Sequence, residues 1–183
     1  MEHKGTIPLE TEQLLLRRFD VNDDIATYKN WASDEAVTEF LTWEPHSSVD
    51  VTKDIILRWV KEYDKLDYYN WVIELKETHE IVGSISVVEL NNQVESATIG
   101  YCMGKSWWGK GIMPEALRCV IIYLIREVGL NRVCANHDLN NPKSGRVMDK
   151  AGMKLEGVLR AAGYNKNTGV HDVVWHSILK SEL

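Results

Sequence analysis

Residues 97–139 constrain the fold of this chain more than any other stretch. They open with the run Ala97-Thr98-Ile99-Gly100-Tyr101-Cys102-Met103, which reads as a strand. A glycine-bearing turn follows, Gly104-Lys105-Ser106-Trp107-Trp108-Gly109-Lys110-Gly111-Ile112-Met113. At Pro114 the period changes, and Leu117, Val120, Ile121, Leu124 and Ile125 fall on one helical stripe. A second apolar run, 131–139, comes next. A strand, a helix over 114–128 and a strand make a connection long enough to join parallel neighbours, which a tight hairpin cannot do. Ligands favour the C-terminal ends of such strands.

The flanking segments supply the rest of a mixed sheet. Strands are expected at 13–19, 71–75, 81–88, 97–103, 131–139, 154–164 and 172–179. Helices are expected at 25–31, after the start signal Asp20-Val21-Asn22-Asp23-Asp24, at 48–65, where Val51, Ile55, Trp59 and Tyr63 recur four apart, at 114–128, and at 142–151, ended by Gly152. The fold class is therefore α/β, a mixed seven-stranded sheet with helices on both faces. With 183 residues, 44% of them apolar, and neither a repeat nor a Pro/Gly/Ser-rich linker, residues 1–183 are expected to form a single domain.

Charge narrows the partners. A formal charge of −6 argues against nucleic acid, which wants a basic face, and suits a cationic partner such as an amine. No apolar run reaches membrane-spanning length, and Met1-Glu2-His3-Lys4-Gly5 lacks the apolar core of a signal peptide, so no membrane partner and a cytoplasmic location are expected. Cys102, Cys119 and Cys134 show no paired spacing, so neither a disulfide nor a metal site is expected.

In the turn, Gly109 and Gly111 let the backbone aim its amides inward, and Pro114 suits a first helical turn. Unpaired N–H groups at a helix N-terminus form a seat for phosphate. The ordinary reading of such a turn is a plain strand-to-helix connection; the flanking strand and amphipathic helix favour the anion site. Neither the lysine motif of nucleoside triphosphate sites nor the longer glycine motif of dinucleotide sites is present.

The ordered matches Leu14-Leu15-Leu16-Arg17-Arg18-Phe19, Phe40-Leu41-Thr42-Trp43-Glu44-Pro45-His46, Ile99-Gly100-Tyr101, Trp108-Gly109-Lys110-Gly111, Glu115-Ala116-Leu117, Asn141-Pro142-Lys143-Ser144, Lys150-Ala151-Gly152-Met153 and Glu156-Gly157-Val158-Leu159-Arg160 resemble the GNAT superfamily. Within it they resemble the ribosomal-protein N-terminal acetyltransferases. The resemblance implies acetyl-CoA wedged between splayed parallel strands, here 97–103 and 131–139. The pyrophosphate would rest on the amides of Gly109, Lys110, Gly111, Ile112 and Met113, and the backbone of Tyr101, Cys102 and Met103 would run along the pantetheine. Asn141 and Ser144 match an Asn-x-x-Ser element that contacts the cofactor, with the serine near the thioester sulfur. Lys105, Lys110, Lys143, Arg146 and Lys150 would supply a basic patch for its phosphates.

Four positions depart from the superfamily pattern. Ser106 replaces the Gln or Arg of the phosphate-loop signature. Met148 stands where many members carry a tyrosine acid, which leaves Ser144 as the proton donor. Thr98 and Gly163 fall where some relatives place a carboxylate base. Candidate bases are then Glu44, His46, Glu95, His137 and Asp138, with His137 and Glu44 foremost. Tyr101 reads as a packing residue. Cys102 has no base partner in sequence to make it a nucleophile, and Asp172, after His171, has no serine elbow to complete a triad.

The acceptor follows from ionisation. At pH 7 an α-amine of pKa about 7.7–8.0 is about 10–15% neutral and a lysine amine near 10.4 about 0.04%, a gap of about 3 kcal/mol. A site with a weak base is therefore matched to a protein N-terminus, ribosomal or other. The alternatives are a small-molecule amine, a non-catalytic acetyl-CoA sensor, or a nucleotide-binding regulator using the same turn. A monomer and a homodimer are both compatible with this sequence.

Overall fold

The computed structural model describes residues 1–183. Eight strands form one sheet: β1 (Leu9–Glu10), β2 (Leu14–Arg17), β3 (Asn70–Leu75), β4 (Ile81–Asn91), β5 (Ser96–Met103), β6 (Arg132–Asp138), β7 (Lys154–Asn165) and β8 (Gly169–Leu179). Their order is β1-β2-β3-β4-β5-β6-β8-β7, antiparallel everywhere except at β5–β6. The mixed architecture is as expected, with one strand more than the seven counted from sequence. The addition is β1, two residues that pair with Leu15 and Leu16, too short to carry an alternating pattern.

Helices cover both faces. On one side lie α1 (Asp24–Thr27), continued by a π-helical turn Tyr28–Ala32, then α2 (Glu35–Thr38) and α3 (Val49–Glu62). On the other lie α4 (Ile112–Ile122), continued by π-helical Tyr123–Val128, and α5 (Pro142–Lys150). The helix expected at 25–31 is thus a short α-turn running into a π-turn, and the four-residue α2 escaped the sequence pattern altogether. Ser48 caps α3 by accepting from the Val51 amide, and Gly129, at φ +87°, ends the α4 segment in the left-handed conformation.

Two cores result, one on each side of the sheet. Trp71 and Ile73 of β3 pack with Leu14, Leu16, Ile85, Ile99, Val133 and Ala135 beneath Leu117, Val120, Ile121 and Leu124 of α4 and its extension. Val72, between them, turns to the opposite core of Phe19, Trp31, Val37, Ile56, Tyr63 and Ile81. A sheet buried on both faces explains why β3 reads as a continuous apolar run. No helix is long and apolar enough to cross a membrane.

Candidate active site

The two parallel strands pair only over their first halves. Ser96 opposes Arg132, Ala97 opposes Val133, Thr98 opposes Cys134 and Ile99 opposes Ala135. Beyond this point Gly100 to Met103 stay with β4, and Asn136 to Asp138 stay with β8. A bulge in β4 between Val87 and Glu89 sits beside the last of these pairs, where the added twist bends β5 away from β6. A wedge opens, and alternate backbone groups of Tyr101, Cys102 and Met103 point into it from the side not bound to β4.

The glycine turn closes one end of that wedge. Gly109 and Gly111 hold φ +78° and +82°, and a Cβ on either would meet no protein atom, so their outer faces are open to a ligand. None of the amides of residues 109–113 donates to a protein acceptor, although they lead directly into α4. Five free donors at the positive end of a helix form an anion seat. Trp108 fastens the turn by donating its indole N–H to the Met103 carbonyl at 2.7 Å. The Lys143 ammonium lies 5.2 Å from the Trp108 ring, which brings the start of α5 to the same place. Lys105, Lys110, Arg146 and Lys150 are exposed.

Across the wedge, the Asn141 side chain caps α5 by accepting from the Ser144 amide at 3.4 Å, with Pro142 in the first turn. Tyr101 donates its hydroxyl to the Ser144 carbonyl at 3.0 Å and lies 2.9 Å from the Ser144 hydroxyl. Burial pushes the Tyr101 phenol well above its ordinary pKa, so it remains a hydroxyl and a donor. The pair joins β5 to α5 across the open wedge. Sequence reading of Tyr101 as a packing residue missed this link, because the two positions meet only through the fold. Met148 is buried in the core below. The Cys102 thiol lies 3.3 Å from the Ser84 hydroxyl, and burial raises its pKa, which keeps it protonated.

The remaining candidates scatter. Glu95 sits at the far end of β5, 3.7 Å from the N-terminal ammonium, away from the wedge. His46 bonds Thr52 of α3 through Nδ1 at 2.8 Å and packs on Trp43, and burial lowers its pKa. Glu44 is exposed and pairs with Lys166 at 3.0 Å. His137 donates from Nδ1 to the Asp138 carbonyl at 2.8 Å, and its Nε2 lies under Gly145 on the α5 side of the sheet. Asp138 lies on the opposite side of the sheet, buried, and accepts from the Asn140 amide. Asp172 accepts from the Ala161 amide, a strand-shaping role.

The β7–β8 turn roofs this second side. Lys166 donates to the Trp43 carbonyl and Asn165 to the Glu39 carbonyl, so the turn rests on residues 39–46. Between them lies a cavity of about 480 Å³ lined by Glu35, Glu39, Glu44, Pro45, Lys166 and Asn167, among others. Leu41 and Trp43 of the same loop pack on the α1–α3 core, as does Cys102.

Comparison with known proteins gives consistent matches. The model of the acetyltransferase (GNAT) domain matches residues 13–154. The uncharacterized N-acetyltransferase p20 of Bacillus licheniformis is 31% identical over 95% of this chain and 97% of its own length. The ribosomal protein uS5-alanine N-acetyltransferase of Escherichia coli is 35% identical over 43% of this chain and 41% of its own. Among solved structures, RimL, a ribosomal L7/L12 α-N-protein acetyltransferase in complex with coenzyme A, superposes with a TM-score of 0.83 at 21% identity, covering 94% of this chain and 98% of that one.

Proposed function

The chain belongs to the GNAT acetyltransferase family, and from that premise we propose that it moves the acetyl group of acetyl-CoA to a protein N-terminal α-amine by direct attack in a ternary complex. The observation that carries this reading is the wedge between β5 and β6, with the free amides of residues 109–113 at one end and the Ser144 hydroxyl across it.

Each part has a chemical task. The amides of Gly109 to Met113 take the pyrophosphate, Lys143 adds charge beside it, and the wedge-facing backbone groups of the segment Tyr101-Cys102-Met103 pair with the pantetheine amides. Asn141 fixes the first turn of α5, and with it Ser144. The Ser144 hydroxyl, held by Tyr101, donates to the thiolate as the C–S bond breaks. Holding amine and thioester together contributes about 7–11 kcal/mol at the best effective molarities, so no covalent enzyme intermediate is needed. One relative is an N-acetyltransferase of a ribosomal-protein alanine and the structural neighbour RimL an α-N-protein acetyltransferase, which supports a protein α-amine as the acceptor here.

A small polycationic amine is the second reading, favoured by one feature: the cavity beneath the β7–β8 turn has a small ligand's size and three glutamates in its lining. Coenzyme A release, measured with acetyl-CoA and a panel of free N-terminal peptides, N-blocked lysine peptides and polyamines, separates the readings. Preference for N-terminal peptides is expected. Faster turnover of polyamines selects the second reading, and tight coenzyme A binding without turnover of any amine overturns both.

A further inference from the structure

We propose that His171 is the general base of the transfer and that Asp138 is the residue that positions it. The assignment rests on the reading of the wedge as an acetyl-transfer site.

Strand alternation puts both residues on the acceptor face. Val133 and Ala135 of β6 lie in the core under α4 and α5, so Asp138 faces the other side, the side of α1–α3. Asp138 opposes Val173 on β8, and His171, two residues before Val173, shares that face. Asp138 also lies beyond Ala135, in the part of β6 that has parted from β5. The pair therefore borders the open half of the wedge, on the face where Cys102 and the 39–46 loop also lie.

The contact itself is unusual. Four buried side-chain polar atoms in the protein have no hydrogen-bond partner: Thr27 Oγ1, His176 Nδ1, Asp138 Oδ2 and His171 Nδ1. The last two face each other at 3.6 Å, too long for a hydrogen bond and close enough for an ion pair once the imidazole is protonated. Asp138 keeps only 3% of its side-chain surface exposed. A buried carboxylate oxygen aimed at a buried imidazole nitrogen, with neither otherwise engaged, is a site prepared for a positive charge that arrives during reaction.

The other edge of the ring is open. Nδ1 is sealed, whereas Nε2 is not among the buried atoms and makes no hydrogen bond, and the side chain as a whole retains 14% exposure. That edge lies over Gly163 of β7, where a Cβ would come within 2.4 Å of Nε2. Glycine at 163, the position that lacks the carboxylate of some relatives, is what admits the imidazole. No other charged group lies within ion-pair distance of His171, and its neighbour Asp172 is engaged by the Ala161 amide.

In the step, the amine lone pair forms the C–N bond and the carbonyl pair moves to oxygen. Nε2 takes the N–H proton, directly or through one water, and the imidazolium closes on Asp138. Collapse restores C=O and breaks C–S with the pair on sulfur. The thiolate takes a proton from the Ser144 hydroxyl, which recovers one from water while His171 releases its own to water. The products are amide and thiol.

The test is the pH dependence of kcat/KM for a short peptide with a free N-terminal alanine, in the wild type, His171→Gln, Asp138→Asn and Gly163→Ala. His171→Gln is expected to lose about 10²-fold or more at neutral pH, with acetyl-CoA affinity within threefold of wild type, and to lose the second ionisation of the acidic limb, keeping that of the acceptor amine alone. Asp138→Asn keeps this second ionisation, moved to lower pH, because the imidazolium has lost its counter-charge. Gly163→Ala displaces the ring and reproduces part of the His171→Gln loss. Turnover of His171→Gln within threefold of wild type across the range overturns the assignment while leaving acetyl transfer intact; a wild type without turnover on any amine overturns both. Should the variants fail to fold, an acceptor amine of lower pKa decides with the wild type alone. An acidic limb that keeps a second ionisation independent of the acceptor supports His171, and one that follows the acceptor alone excludes it.

Discussion

Ser144 does two things at once: its amide hydrogen-bonds to the Asn141 cap and its hydroxyl touches Tyr101. Only the hydroxyl reaches toward the wedge, so removing it leaves the cofactor seat intact. Ser144→Ala should lower turnover by about 10²-fold, within the usual range for a proton-transfer group, with coenzyme A affinity unchanged within threefold. Steady-state kinetics paired with calorimetric titration checks both halves. Unchanged turnover would assign the proton to water and strip Ser144 of its role. The glycine turn was legible from spacing alone, because turns are local, whereas Asn141 and Ser144 stood out only through the family resemblance. The Tyr101–Ser144 and Asp138–His171 contacts were not, since each joins residues that meet only when strands and helices assemble.

At the scale of elements, the glycine turn and the C-terminal hairpin make separable predictions. Gly111→Ala puts a Cβ on a left-handed residue, at a cost of about 1–2 kcal/mol of stability, although no protein atom stands in its way. A methyl on that open face stands in the path of a phosphate, so coenzyme A affinity should fall more than tenfold. Urea denaturation and calorimetry measure the two effects; a loss of stability with undiminished affinity would remove the turn from the cofactor site. In the hairpin, Glu156 of β7 pairs with Arg132 of β6 and accepts from Ser177 of β8 at 2.7 Å. The Arg132 hydrogen bond holds its pKa at about 2, down from 4.5. A depressed carboxylate stabilises the fold above its unfolded pKa and loses that contribution as pH falls through the folded value. Wild-type melting temperature should therefore drop between about pH 4.5 and pH 2 more steeply than that of Glu156→Gln, and parallel curves would refute the linkage.

At the scale of the molecule, the sheet is two blocks, β1–β5 and β6–β8, joined by four parallel residue pairs and by packing on α4 and α5. A ligand that fills the wedge pairs with both blocks and binds the folded state alone. At 100 times its dissociation constant it stabilises by about 2.7 kcal/mol. For a domain of this size that is about 5–10 °C in melting temperature, at about 2–4 °C per kcal/mol. A thermal scan with and without coenzyme A reads it directly, and no shift would argue that the wedge is not the binding site. Sequence alone determined the period of each long element, the caps, the glycine turn and the parallel crossover, because those depend on neighbours within a few residues and on burial that repeats at a fixed spacing. It could not count β1 or α2, whose lengths carry no period. Tertiary structure alone decided where β5 and β6 part, which face of the sheet each ionisable side chain takes, and that His171 meets Asp138 over a glycine. Those depend on twist and on distances between remote segments, which no local pattern records.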